Sequence, residues 1–188
     1  MIRQSQPWGR EAYAFADFIC RSYWSIAELT FFAQADPFEH APDFLLRLTL
    51  RYDRPTGLTT RYRADWPSDQ IKSRDRVELH YGVEVRYGDA RIQVHPDQPA
   101  WFNDAAWSYL FDAPLPESVW FAYGAMYAVP RAAILARQWS AWDRLRAEIR
   151  RAGYRDGRSV TDPPLNPWAL EALWGYVWGG VPFSTRFR

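Results

Sequence analysis

The chain is poor in several of the residues on which functional classes depend. One cysteine, Cys20, rules out an internal disulfide and any cysteine-built zinc site. Cys20 lies in the apolar stretch Phe15-Ala16-Asp17-Phe18-Ile19, where a small buried hydrophobe is the default reading. Three histidines, His40, His80 and His95, show no helical metalloprotease spacing. No Gly-x-Ser-x-Gly elbow, Walker loop or dinucleotide glycine fingerprint occurs. The apolar runs stop short of the ~18 residues that a membrane helix needs, and no basic-then-apolar leader opens the sequence. These absences predict a cytoplasmic protein without a membrane partner. Net charge is only +1, so no global field draws the chain to nucleic acid or anionic lipid.

Lysine is also nearly missing. Lys72 is the only one among 23 basic residues, and the rest are arginine. A planar guanidinium suits phosphates and carboxylates. A GC-rich coding sequence produces the same bias, so arginine excess alone assigns no function.

Aromatic residues, by contrast, are abundant, with 11 each of Trp, Tyr and Phe in 188 residues. Their default use is core packing, although a flat ring also serves to stack bases or sugars. The length predicts a single domain spanning 1–188 with a substantial core.

Ala12, Phe15, Ala16, Ile19 and Tyr23 recur at spacings of three and four, which predicts a helix over 9–23 with one buried face. A buried strand is expected over 28–34. Phe44, Leu45, Leu48 and Leu50 fit a second helix over 40–51, entered through Pro42 and ended by Pro55 and Gly57. Alternation in 83–87 and 90–94 around Gly88-Asp89 predicts an inserted β-hairpin within 77–94. His80 and His95 would face each other across it as an exposed pair. Four prolines, Pro96, Pro99, Pro114 and Pro116, frame an aromatic loop with a short helix near 103–111. The run 118–129 reads as one buried strand, with Gly124 allowing close backbone approach. Pro130 opens a helical region, and Trp142, Leu145 and Ile149 line one face of 140–152. Asn166-Pro167 pairs an N-cap with proline at the first helical position, predicting a last helix from Pro167 towards Trp178.

Four blocks carry a family resemblance. They are Gly9-Arg10-Glu11, then Phe32 to His40 (FAQADPFEH), then Gly124 to Arg131 (GAMYAVPR), then Glu171 with Trp174. In this order the chain resembles an uncharacterised family of fungi and bacteria that is similar to A-type nucleotide-sugar glycosyltransferases. The second block is the most specific. The resemblance implies an α/β fold with a truncated Rossmann-like mixed sheet flanked by helices. Only eight residues precede Gly9, where such proteins carry a strand, a helix and another strand. Those elements form part of the base and ribose pocket, so the resemblance implies an incomplete donor site: either the chain is a fragment, or a partner chain supplies the missing edge, or the fold serves a non-catalytic use.

The resemblance also implies roles for individual residues. Asp36 matches the acidic position that holds a divalent cation, manganese or magnesium, against a sugar diphosphate. Hard cations prefer oxygen ligands. Gln34 replaces the usual companion acid. His40 is a ligand for the cation, a phosphate or a sugar hydroxyl. Arg10, at a helix start, would meet phosphate. Glu171 falls where the acid that deprotonates the acceptor hydroxyl is often found, and flanking Trp168 and Trp174 would exclude water from it.

Each assignment has a structural alternative. Asp36 and His40 would cap a helix beginning near Pro42. Arg10 would pair with Glu11 or Asp17, and Glu171 with an arginine. At the level of the whole chain, the alternative to a nucleotide-sugar enzyme is a binding or assembly module that pairs through an exposed sheet edge with a second copy or another chain. Its aromatic loop 99–111 and hairpin 77–94 would meet a protein or a glycan. A nucleic-acid surface over Arg144, Arg146, Arg150, Arg151, Arg155 and Arg158 is diluted by Asp143, Glu148 and Asp156.

Overall fold

A computed structural model describes residues 10–59, 71–73, 81–86, 104–116, 118–121, 125–152, 154–155, 158–159, 165 and 167–187. Among them are six α-helices and small antiparallel sheets. No described helix is long and apolar enough to cross a membrane.

Helix α1 runs Arg10–Ser22 and buries Ala12, Phe15, Ala16 and Ile19 along one stripe, as its spacing predicts. Strand β1, Leu29–Phe32, follows. The expected second helix shrinks to α2, Phe44–Arg47. One turn offers a single inward face, and Phe44 and Arg47 occupy it. Leu45 and Leu48, expected to be on the buried stripe, are exposed. Arg47 Nε donates to Asp43 Oδ2 at 3.0 Å, which gives the buried guanidinium a charged partner within the same turn.

Strand β2, Thr56–Gly57, returns the chain to the first sheet. Strands β3, Ile71–Ser73, and β4, Tyr81–Arg86, start a second sheet, and helix α3 spans Asp104–Leu110. The run 118–129 is not one strand. It divides into β5, Ser118–Phe121, which joins β4 in the second sheet, and β6, Tyr127–Pro130, which lies at the centre of the first. Ala125, just ahead of β6, has a left-handed φ of +50° that turns the backbone away from an extended course. Of the expected hairpin, β4 is present and pairs with β3 and β5. The returning arm 90–94, Gly124, His80 and His95 lie outside the described residues.

The first sheet has the order β1-β6-β2, and both outer strands run antiparallel to β6. Register sets Leu29 opposite Pro130 and Phe32 opposite Tyr127 on one side, with Thr56 opposite Ala128 on the other. Every described strand pairing is antiparallel. A Rossmann-like sheet pairs parallel strands directly, whereas here β1 and β2 run the same way but are separated by β6.

Strand alternation divides the core in two. Phe32, Tyr127 and Val129 face a large cluster with α1, α5 and α6. Phe31, Met126 and Ala128 face a smaller one with Ala41, Phe44, Leu58 and Tyr52. The first sheet is thus a middle layer, with the segment 37–52 covering one face and the helices covering the other.

Helix α4, Arg131–Leu135, leads into α5, Trp139–Ala152, whose Trp142, Leu145 and Ile149 are buried as expected. Strands β7, Tyr154–Arg155, and β8, Arg158–Ser159, make a two-stranded turn. Asp17 of α1 takes Arg146 of α5 at 3.2 Å and Arg21 at 2.8 Å, and Arg146 also holds Asp143 at 2.5 Å. Arg151 is engaged by Glu148 at 2.8 Å. Two arginines of the basic run are therefore committed to acids within the protein, which removes them from a continuous phosphate-binding face.

Helix α6 spans Pro167–Trp178, as its proline start predicts. Past its end, Gly180 adopts φ +81°, a conformation glycine takes without steric penalty. Arg137 then clamps the terminus. It is 8% exposed, donates to the Val177 carbonyl through Nε (3.1 Å) and Nη2 (2.8 Å) and to Val181 through Nη2 (2.7 Å), and lies 3.6 Å over the Phe183 ring. The helix's negative end and the ring face together offset the desolvation of the cation.

Candidate functional site

The loop after β1 is built by a local hydrogen-bond set. Gln34 Nε2 donates to the Asp36 carbonyl at 2.8 Å, and the Phe38 amide donates to Asp36 Oδ1 at 3.2 Å. Asp36 therefore does cap, but it caps the 3-10 turn Pro37–Glu39 rather than a helix near Pro42. Proline at the first position fixes φ and needs no donor there. His40 closes the same turn, and its amide donates to the Pro37 carbonyl at 3.3 Å. Its Nε2 stands 3.9 Å from Glu39 Oε2, and its side chain is largely covered. Asp36 is exposed and Gln34 half-buried.

Arg10 is the first residue of α1, and its side chain lies outside the described residues. Asp17, its suggested partner, is engaged by Arg21 and Arg146.

Glu171 is in the second turn of α6 and only 6% exposed. It shares a helical face with Trp174 and Trp178, at i+3 and i+7. Those two indoles stack at 4.7 Å with planes 12° apart. Both indole N–H groups are buried without an acceptor among the described residues. The acid expected to meet an acceptor hydroxyl is thus inside an aromatic wall, while Asp36 is on the surface. The side chain of Trp168 lies outside the described residues.

The second and third signature blocks meet directly at β1, and the helices that carry the first and fourth, α1 and α6, pack on the same strand through residues outside those blocks. Phe32 ends β1 and enters the Asp36 loop. Its ring lies 4.8 Å from Phe15 of α1 and 5.1 Å from Trp178 of α6, and its backbone is opposite Tyr127 of β6. Phe15 in turn lies 5.6 Å from Trp174.

The aromatic loop expected over 99–111 is largely core where it is described. Trp107 and Phe111 are buried, and Trp107 Nε1 donates to the Ala113 carbonyl at 2.8 Å. One polar cluster was not anticipated. The Tyr109 hydroxyl donates to Glu148 Oε2 at 2.6 Å, Arg151 Nε donates to the same oxygen at 2.9 Å, and Arg186 sits 4.5 Å over the Tyr109 ring. Burial pulls the Glu148 carboxyl upward, but the bonds from Arg151 and Tyr109 outweigh it and hold the pKa below the ordinary value. Only the Glu148/Arg151 spacing of three hinted at this cluster in the sequence.

Among the described residues, no group of three or more His, Cys, Asp or Glu side chains is placed to hold a metal ion. Asp36 brings one carboxylate, and Gln34 has turned its amide nitrogen to the backbone. The set does not fit a resident cation held by protein ligands alone. Compared with known proteins, the chain matches no family model, no curated protein and no solved structure.

Proposed function

We propose that this protein is a glycosyltransferase-like binder of a nucleotide-sugar, on a mixed α/β framework, with the loop 33–40 as its ligand edge. The observation that supports this is the pairing of the second and third blocks, Phe32 against Tyr127, on a strand against which the helices carrying the other two blocks also pack, through Phe15 and Trp178. Segments so distant in sequence come together when they serve one framework, and the loop 33–40 leaves it at the end of β1 with polar side chains reaching solvent. Asp36 is the exposed carboxylate of that loop. A divalent cation belongs here as a companion of the diphosphate, whose oxygens would complete its coordination, with Asp36 as anchor. Gln34 and His40 flank the ligand, and Arg10 meets phosphate.

Glu171 is the base for an acceptor hydroxyl in this reading. Its burial requires the neighbouring side chains to move before an acceptor reaches it, so its role is tested separately. Calorimetry with a panel of nucleoside diphosphates and sugar nucleotides, with and without manganese, checks the binding step. Saturable heats that vanish in Asp36→Ala are expected, and silence across the panel overturns the reading. Glu171→Gln is expected to keep binding and lose transfer to the acceptor.

A second reading rests on β1 itself. It is an outer strand of its sheet among the described residues, and Leu29, Thr30 and Phe31 are half-exposed. An apolar outer strand is a template for a strand from another chain. A nucleotide panel without heats, together with a stable oligomer disrupted by proline at Thr30, favours this assembly module.

A further inference from the structure

The loop after β1 carries an aromatic ring as well as a carboxylate. Phe38 is 47% exposed and belongs to the 3-10 turn Pro37–Glu39 that Asp36 caps. Its amide donates to Asp36 Oδ1 at 3.2 Å. Its Cα is one N–Cα bond beyond that amide, hence within about 5 Å of the carboxylate oxygen. The ring and the charge leave the same turn from neighbouring positions, and Pro37 fixes the backbone between them.

The ring is held as well as exposed. Phe38 and Phe44 meet edge to face, with centroids 6.3 Å apart and planes 86° apart. Phe44 belongs to the smaller core with Ala41 and Leu58, so Phe38 leans on a buried anchor. An edge-to-face contact covers at most one face of a ring, and the exposure of Phe38 leaves ring surface open to solvent.

We propose that Phe38 is the platform on which the base of the nucleotide stacks while the diphosphate and its cation are held at Asp36. This rests on the reading of the loop 33–40 as the ligand edge and adds to it the residue that recognises the base. A nucleoside diphosphate has a flat ring at one end and clustered negative charge at the other, joined by a ribose. The turn offers a counterpart to each, an open aromatic surface and a carboxylate that anchors the cation. Every base has a π-face, so the stack recognises a nucleotide without choosing among bases.

Calorimetry of the full chain with UDP, ADP, GDP and inorganic pyrophosphate, each with manganese, tests the stack. Phe38→Leu keeps an apolar contact on Phe44 but has no ring, and Phe38→Ala removes both. Each should weaken all three nucleotides about tenfold or more and leave pyrophosphate binding unchanged, while Phe38→Trp should retain nucleotide binding. Nucleotide affinity that is the same in wild type, Phe38→Leu and Phe38→Ala overturns the stack and leaves the ligand edge standing. Equal losses for nucleotides and pyrophosphate also overturn it, because they mark a disturbed turn rather than a lost base contact. Silence of the wild type toward every probe overturns the ligand edge itself, and the stack with it.

Discussion

Phe32 and Trp178 stack with ring planes 16° apart and centroids 5.1 Å apart, which pins α6 to the inner face of β1. Because Phe32 also contacts Phe15, its removal opens a cavity shared by a strand and two helices. Phe32→Ala is expected to destabilise the protein by about 3–5 kcal/mol in urea unfolding. Phe31→Ala, on the half-exposed opposite face, should lose clearly less.

Asp36 has a structural task and a proposed ligand task, and these separate by substitution. Asp36→Asn keeps an oxygen for the Phe38 amide but removes the charge. It should leave stability within about 0.5 kcal/mol, whereas Asp36→Ala should lose about 1 kcal/mol as the cap disappears. Nucleotide binding should fall in both. Equal binding by wild type and Asp36→Asn would restrict Asp36 to capping.

Arg137→Met removes three hydrogen bonds from the carbonyls that end α6. A loss of roughly 3 kcal/mol is expected in thermal or urea unfolding, since the buried acceptors are left unpaired. Arg137→Lys should recover only part of it, because a single ammonium does not reproduce the guanidinium fork.

Burial pushes the Cys20 thiol up to about 11, against a smaller opposing pull from Arg146. In the folded protein at neutral pH the group stays a thiol, so alkylation by iodoacetamide should be slow until the chain unfolds. The sign of the pH effect follows from linkage. Below the ordinary value of 9.0 both states hold the proton and this contribution to stability is fully present. As pH rises toward about 11 the unfolded chain releases the proton first, and the contribution is lost. Unfolding at pH 8 and pH 10.5 should therefore show a smaller alkaline loss in Cys20→Ala than in wild type.

Ala125 holds its positive φ while fully buried. Glycine there relieves about 1–2 kcal/mol of backbone strain, while its greater unfolded freedom costs about 0.5–1 kcal/mol and the lost methyl about 0.8 kcal/mol. Ala125→Gly should come out near neutral. Ala128→Gly, equally buried in a β-strand, has no strain to relieve and should lose about 1.5 kcal/mol. Equal losses at the two positions would show that Ala125 carries no strain.

What could be read before folding follows from the range of the forces involved. The bounds of α6 were legible because proline at a helix start acts locally, and the stripes of α1 and α5 because helical period is a local property. The division of 118–129 was not, since an apolar run looks the same whether it serves one sheet or two, and the dividing conformation at Ala125 has no residue signature. Strand pairing was equally hidden: whether β1 meets a parallel or an antiparallel neighbour depends on β6, far along the chain. At the site, the polar character of Asp36 and His40 was plain, but only geometry distinguishes a cap of Pro37–Glu39 from a helix cap. Glu171 illustrates the same point, since neighbouring tryptophans in a sequence do not reveal whether they line an opening or close it.

The placement of β6 between β1 and β2 bears on biosynthesis. Both outer strands leave the ribosome long before their central partner is translated, and neither can pair in the interim. The emerging N-terminal half then lacks the strand opposite β1 and the Trp178 ring that stacks on Phe32, and its incompletely covered apolar surface is a state in which chaperone capture competes with aggregation. Truncations ending before Tyr127 should accordingly be insoluble or chaperone-bound rather than folded.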